Sequence, residues 1–233
     1  MRVSMSKQKN DSGFHPSLFL FDLGDIFFEA HFWRKWLYNE FINQINYSGS
    51  FKDFYNLYET YLQTTYEAQT SYRDQFINFI NDHNITNPKQ FMKEAFSKKI
   101  YFEDTRVLYP EVLETLTLLK NKDKKLIILT DNESSSLTIR KTILERFQLN
   151  HLIDEVITSF DIGVTKPHPL FFNEGINAAK VTIEETVFVA HDKDEIDGAK
   201  DLGLTVIEFN NYLKVATHAD YKIKSFSELL KWN

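Results

Sequence analysis

From Pro110 onward the chain alternates short apolar runs with amphipathic stretches: PEVLETLTLLKN, KKLIILTD, SSSLTIRKTILERF, DEVITSFDIG, HPLFFNEGINAAK, TVFVAHD, DEIDGAKDLG, LTVIEF, DYKIKS and FSELLKWN. No other feature narrows the range of folds as much. A run of four to six apolar residues suits a strand buried on both faces. Its alternation with amphipathic segments predicts βαβ units, and therefore a parallel sheet covered by helices on both faces. LFLF at Leu18 to Phe21, ended by Asp22, is one more run of this kind near the N-terminus.

If that early strand joins the same sheet, residues 29–105 are an insertion. Their texture differs from the rest of the chain. FWRKWLYNEFINQI, FYNLYETYLQTTY, YRDQFINFINDH and PKQFMKEAFSKKI repeat aromatic residues at helical spacing, which predicts four helices packed through their rings. The expected fold class is therefore α/β: a doubly wound, mostly parallel sheet with an inserted helical unit. The core takes residues 17–28 and 106–233, the insertion 29–105, and residues 1–16 form a loose tail.

Bulk properties narrow the function. At 233 residues the chain can bury a substantial core without metal or disulfide staples. It has no cysteine, which removes disulfides, thiolate metal sites and a cysteine nucleophile. A formal net charge of −6 provides no basic surface for nucleic acid or an anionic membrane, so a small ligand is the expected partner. No apolar run approaches the roughly 20 residues that a spanning helix needs, and MRVSMSKQKNDSGFHPS lacks the apolar centre of a signal peptide. A cytoplasmic protein is expected, as a monomer or homodimer.

Active sites of open parallel sheets lie beyond the carboxyl ends of the strands, and four predicted strand ends carry polar groups. In FDLGD, Asp22 is a carboxylate able to attack phosphorus or carbon or to bind a cation, or simply to cap the next turn. In LIILTDN, Thr130, Asp131 and Asn132 offer a hydroxyl and amides to an anion, although such residues also cap helices, here one starting near Ser134. In VTKPHPLFF, Lys166 is held before a proline, where its ammonium can neutralise a carboxylate and a phosphoryl group together, unless it is a plain surface lysine. VFVAHDKDEIDGAKDLG sets His191, Asp192, Asp194, Glu195 and Asp197 at a helix entrance. Hard oxygen donors there suit Mg²⁺, and the helix dipole alone also favours acids.

The order of these elements resembles the haloacid dehalogenase-like hydrolase superfamily: Asp after a first strand, Thr after a second, Lys-Pro-x-Pro, then acids followed by DGAKDLG. The similarity covers residues 18–28 and 106–230, and the insertion is similar to that superfamily's first-type helical cap. The resemblance implies an Mg²⁺-dependent phosphatase acting on a small phosphorylated metabolite through an aspartyl-phosphate. Asp22 would be the nucleophile. Thr130, with Asp131 and Asn132, would bind phosphoryl oxygens, and Lys166 would join phosphate to Asp22. Mg²⁺ would sit among Asp22, the Gly24 carbonyl and either Asp192 or Glu195. Substrate would be selected by the cap, where Trp33, Arg34, Lys35 and Arg73 are candidates.

Two positions depart from the pattern of the family's phosphatases. The residue two after the nucleophile, where they carry an acidic proton donor, is Gly24. His191 stands where they carry a metal-binding aspartate, and imidazole is a poor ligand for Mg²⁺. Both changes lean toward the family's metal-free dehalogenases, in which the same Asp22 would attack carbon. A non-catalytic relative that binds a phosphorylated ligand is the other alternative.

Overall fold

The computed structural model describes residues 13–233. Six strands, β1 (Leu18–Phe21), β2 (Lys125–Thr130), β3 (Glu155–Thr158), β4 (Thr186–Ala190), β5 (Thr205–Phe209) and β6 (Tyr221–Ile223), form one sheet in the order β3-β2-β1-β4-β5-β6. Every neighbouring pair is parallel. The sheet is thus wholly parallel, and the chain reverses its direction of winding next to β1.

β1 shows why an uninterrupted apolar run was needed. Alternate residues point to opposite faces. Phe19 and Phe21 pack into a cluster with Leu126, Ile128, Val187, Phe226 and Trp232 on one face, while Leu18 and Leu20 meet Ile127, Leu129, Phe171 and Phe188 on the other. All four side chains are fully buried. Burial of such side chains contributes about 1.5–3 kcal/mol each, so a polar residue anywhere in the run would weaken one of two cores. Helices α5 (Val112–Lys120), α6 (Ser136–Ile139), α7 (Ser159–Ile162), α8 (Pro169–Ala179) and α9 (Lys193–Asp201) connect the strands.

Between β1 and β2 come the four aromatic helices, α1 (Phe32–Ile45), α2 (Phe51–Tyr66), α3 (Tyr72–Asp82) and α4 (Pro88–Asp104). The helix starts follow local chemistry. Ser50 and Asp53 form a capping box at α2, Ser71 accepts from the Asp74 amide at α3, and Pro88 opens α4. Phe41, Phe54, Tyr58, Phe76 and Phe79 make a separate buried cluster in which Phe41 and Phe79 stack with centroids 5.1 Å apart. The helical unit therefore has its own core and does not depend on the sheet for burial.

Three details differ from the sequence expectation. The helix expected near Ser134 starts at Ser136, because Ser135 supplies the cap by accepting from Thr138 N, and it passes into a π-helical turn at Arg140–Leu144. Residues 13–16 are docked on the core rather than loose: Phe14 packs against the first cluster, Pro16 is buried and His15 Nδ1 lies 3.1 Å from the Asn233 carbonyl. The rest of the proposed tail, residues 1–12, lies outside the described residues. Among the described residues no helix is long and apolar enough to cross a membrane.

Candidate active site

Parallel pairing brings the carboxyl ends of β1, β2 and β4 to the same edge, and a cleft of about 1070 Å³ opens there beneath α1, α2 and α4. Asp22, Thr130, Asp131, Asn132, Lys166, His191, Asp192 and Glu195 all line it. Three of the four segments marked in the sequence are strand ends here, whereas Lys166 lies not at a strand end but in the loop between α7 and α8, and all four converge on one cavity.

Its centre is an ion pair. Lys166 Nζ donates to Asp22 Oδ1 at 2.6 Å and to the Leu129 carbonyl at 3.1 Å, and it lies 3.0 Å from Glu195 Oε1. Both Asp22 and Lys166 are buried. Burial alone would raise the Asp22 pKa, but the Lys166 and His191 side chains outweigh it and hold the carboxyl at about 2. Burial likewise opposes the Lys166 ammonium, and Asp22, Glu195 and Asp131 overcome it and raise its pKa. Asp22 is therefore an ionised carboxylate with a fixed cation on one oxygen at any physiological pH.

Lys166 is placed by backbone contacts on both sides. Its amide donates to Asp131 Oδ1 at 3.1 Å. On the other side, Pro167 lies so close to α9 that a Cβ on Gly198 would stand 2.2 Å from Pro167 Cβ. The first glycine of DGAKDLG is thus required by the close approach of the Pro167 ring to α9. Asp131, enclosed beside Asp22, has its carboxyl pushed up to about 7 by burial, against the pull of Lys166. Thr130 is buried at the end of β2, and the Asn132 amide donates to Ser159 Oγ at 3.0 Å.

The fourth strand end divides its acids among several tasks. Asp192 caps α9, its Oδ1 accepting from Asp194 N at 2.9 Å. Glu195 faces Lys166 through Oε1, and its buried Oε2 has no hydrogen-bond partner. Burial, the largest influence, raises the Glu195 pKa well above the usual carboxylate range. His191 Nε2 stands 3.5 Å from Asp22 Oδ2, with its ring 5.4 Å from that of Tyr212. Asp25, one residue past Gly24, is engaged within its own loop: its backbone has φ 58° and its Oδ1 takes both His31 Nδ1, at 2.5 Å, and the Ala30 amide, at 3.0 Å.

Mg²⁺ prefers six oxygen donors near 2.0–2.1 Å. The donor set implied by the resemblance, Asp22, Gly24, Asp192 and Glu195, does not suit it. Asp22 presents one oxygen to an ammonium and the other to an imidazole, Glu195 is engaged by the same ammonium, and Asp192 is engaged in a helix cap. Among the described residues no three His, Asp or Glu side chains stand together as a metal site.

Of the four insertion residues considered for substrate contact, Trp33 and Arg34 line the cleft, whereas Lys35 and Arg73 are exposed away from it. Arg34 is not free there. Its guanidinium pairs with Glu59 at 2.6 Å, donates to Tyr66 OH at 3.1 Å and lies over the Tyr55 ring. Gln63 Nε2 donates to Thr165 Oγ1 at 2.7 Å and so ties α2 to the residue before Lys166. Sequence reasoning missed Tyr212, which packs against both His31 and His191. The strand-end rule applied to β5 would have pointed to the loop that carries it.

Residues 39–209 match the family model described as haloacid dehalogenase-like hydrolase. A glyceraldehyde 3-phosphate phosphatase from Methanocaldococcus jannaschii is 36% identical over 129 residues, 52% of this chain and 54% of that protein. The chain thus spans about half the length of the curated relatives it matches. Among solved structures, a HAD phosphatase from Thermococcus onnurineus is 21% identical with a TM-score of 0.58, covering 92% of this chain and 96% of the other. The L-2-haloacid dehalogenase from Xanthobacter autotrophicus, with chloropropionic acid covalently bound, is 14% identical with a TM-score of 0.64 and the same coverage. These two structural likenesses concern the fold.

Proposed function

Because the chain belongs to the haloacid dehalogenase-like hydrolase family, we propose that it is a phosphatase hydrolysing a small phosphomonoester through an aspartyl-phosphate on Asp22. The observation that carries this reading is the buried contact of Lys166 Nζ with Asp22 Oδ1 at 2.6 Å. Phosphoryl transfer demands positioning and charge neutralisation more than covalent machinery, and a preorganised cation beside an ionised carboxylate supplies both. The names of the curated relatives, among them glyceraldehyde 3-phosphate phosphatase and phosphoglycolate phosphatase, favour phosphate over halide.

Asp22 Oδ1 is gripped by Lys166, and Oδ2 is held more loosely by His191, so Oδ2 is the attacking atom in this reading. Attack forms the Oδ2–P bond and expels the ester oxygen with its bonding pair, and that oxygen takes a proton from solvent. Lys166 and the Thr130 hydroxyl hold the phosphoryl oxygens, with the amide of Asp131 beside them. Water then attacks phosphorus, the Oδ2–P bond breaks, its electron pair returns to Asp22, and inorganic phosphate leaves. Since Gly24 has no side chain and Asp25 is engaged by His31, no acid of this loop protonates the leaving group. Esters with good leaving groups should therefore be the faster substrates. The donor set does not suit Mg²⁺, and the reaction as written needs none.

Hydrolysis of an aryl phosphate by wild type and by Asp22→Asn tests the proposal. Turnover that disappears in the variant supports it, and turnover that persists defeats it. One observation favours a second reading. A site whose acids are committed elsewhere is also what carbon-centred displacement by Asp22 would use, and release of halide from a 2-haloacid, with no phosphate turnover, would establish that reading instead.

A further inference from the structure

We propose that His191 occupies the flank of Asp22 on which a divalent cation would have to sit, so that the site works with two nitrogen donors, Lys166 Nζ and His191 Nε2, and without a bound metal. The consequence for catalysis rests on the hydrolase reading above, but the absence of a metal site can be tested without it.

Three observations converge. First, the two oxygens of Asp22 face different nitrogens, Oδ1 at 2.6 Å and Oδ2 at 3.5 Å. A cation at bonding distance from Oδ2 would lie in the space the imidazole fills. Second, the ring is held there: His191 directly follows β4, and Tyr212 packs against it with ring centroids 5.4 Å apart, backed in turn by His31 at 4.5 Å. Displacing His191 to admit a metal would unstack this series of rings. Third, the neighbouring acid has one oxygen committed elsewhere, since Asp192 Oδ1 caps α9 by accepting from Asp194 N at 2.9 Å. Glu195 Oε2, buried without a hydrogen-bond partner, does not by itself make the hard octahedral shell that Mg²⁺ needs.

The geometry also gives the imidazole a task. A tetrahedral phosphoryl group attached through Oδ2 places its oxygens next to the group that faced Oδ2, and Nε2 is a donor there, while Lys166 approaches from Oδ1. Two nitrogen donors would then share the charge for which a phosphatase would otherwise use a metal.

The test uses the full chain and Mn²⁺, an oxygen-seeking stand-in for Mg²⁺ whose free form is read by electron paramagnetic resonance, in the presence of inorganic phosphate. Wild type should leave the Mn²⁺ signal undiminished, and turnover of an aryl phosphate should be unchanged by EDTA. His191→Asp, which restores an oxygen donor, should bind Mn²⁺ at least about tenfold more tightly than wild type. His191→Asn, similar in size but without a carboxylate, should not. Saturable Mn²⁺ binding by wild type that is lost in Asp22→Asn would overturn the inference, as would activity abolished by EDTA and restored by Mg²⁺. If no phosphate ester is turned over with or without metal, the phosphatase reading fails, and the Mn²⁺ titration still decides this one.

Discussion

Lys166 Nζ lies 2.6 Å from Asp22 Oδ1 although 144 residues separate the two in the chain. The contact is buried and charged on both sides, so each group depends on the other. Lys166→Met removes the ammonium while keeping most of the aliphatic stem. Turnover should fall by roughly 10²–10³-fold, the usual cost of deleting a preorganised charge-stabilising group. With burial then opposed by less positive charge, the Asp22 pKa should rise from about 2, which a pH–rate profile or a carboxyl NMR titration would show as a shifted acid limb. An unchanged acid limb would mean that Lys166 does not hold Asp22 ionised.

Gly198 is the weak point of that arrangement. A Cβ there would stand 2.2 Å from Pro167 Cβ, next to Lys166. Gly198→Ala should cost about 1–3 kcal/mol of stability, as overpacking does. It should also lower turnover more than a remote substitution of equal cost, such as truncation of a ring in the helical core. Thermal melts beside kcat for the two variants separate local displacement from general destabilisation.

Asp131 makes stability depend on pH. Its folded pKa, pushed up to about 7, exceeds the ordinary 3.8. A raised pKa stabilises the fold below the unfolded value, and that stability is lost as pH rises through the folded value. Wild type should therefore lose stability between about pH 4 and pH 7. His191, also raised above its ordinary value, acts in the same direction at higher pH. Asp131→Asn keeps a side-chain oxygen for the Lys166 amide without a titrating proton. It should flatten the decline and be more stable than wild type at pH 7.5 by on the order of 2 kcal/mol. Denaturant midpoints across that pH range would show parallel curves if the carboxyl were not responsible.

Gly24 leaves the leaving group without an acid, and a side chain at this position meets an obstacle: a Cβ would lie 3.0 Å from Ala30 Cβ. The double variant Gly24→Asp with Ala30→Gly makes room for a carboxyl two residues after Asp22. A gained proton donor should raise turnover of alkyl phosphates by at least about tenfold, within the ~10²–10⁴-fold range of general acid catalysis, and leave aryl phosphates little changed. Equal effects on both substrate types would argue against proton donation as the missing function.

The fold class was legible because its determinants are periodic. Unbroken apolar runs, as in LFLF and LIIL, can satisfy two buried faces only inside a parallel sheet, and the aromatic spacing of residues 31–99 can close only as helices around their own rings. Asp22, Thr130 and His191 could be marked in advance because parallel pairing sends every carboxyl end to one edge, whereas Lys166 reaches the site from the loop between α7 and α8. Tertiary structure alone decided how their charges are shared. Asp192 caps α9 through one carboxylate oxygen because that helix starts immediately after it. Asp25 is occupied by His31 because a left-handed backbone carries its carboxyl there. His191 came to face Asp22 because Tyr212, from a loop 21 residues further on, packs against its ring. Period and polarity are local properties of a chain, whereas the orientation of a side chain and the sharing of a proton or a cation are set by neighbours that only folding brings within a few ångströms.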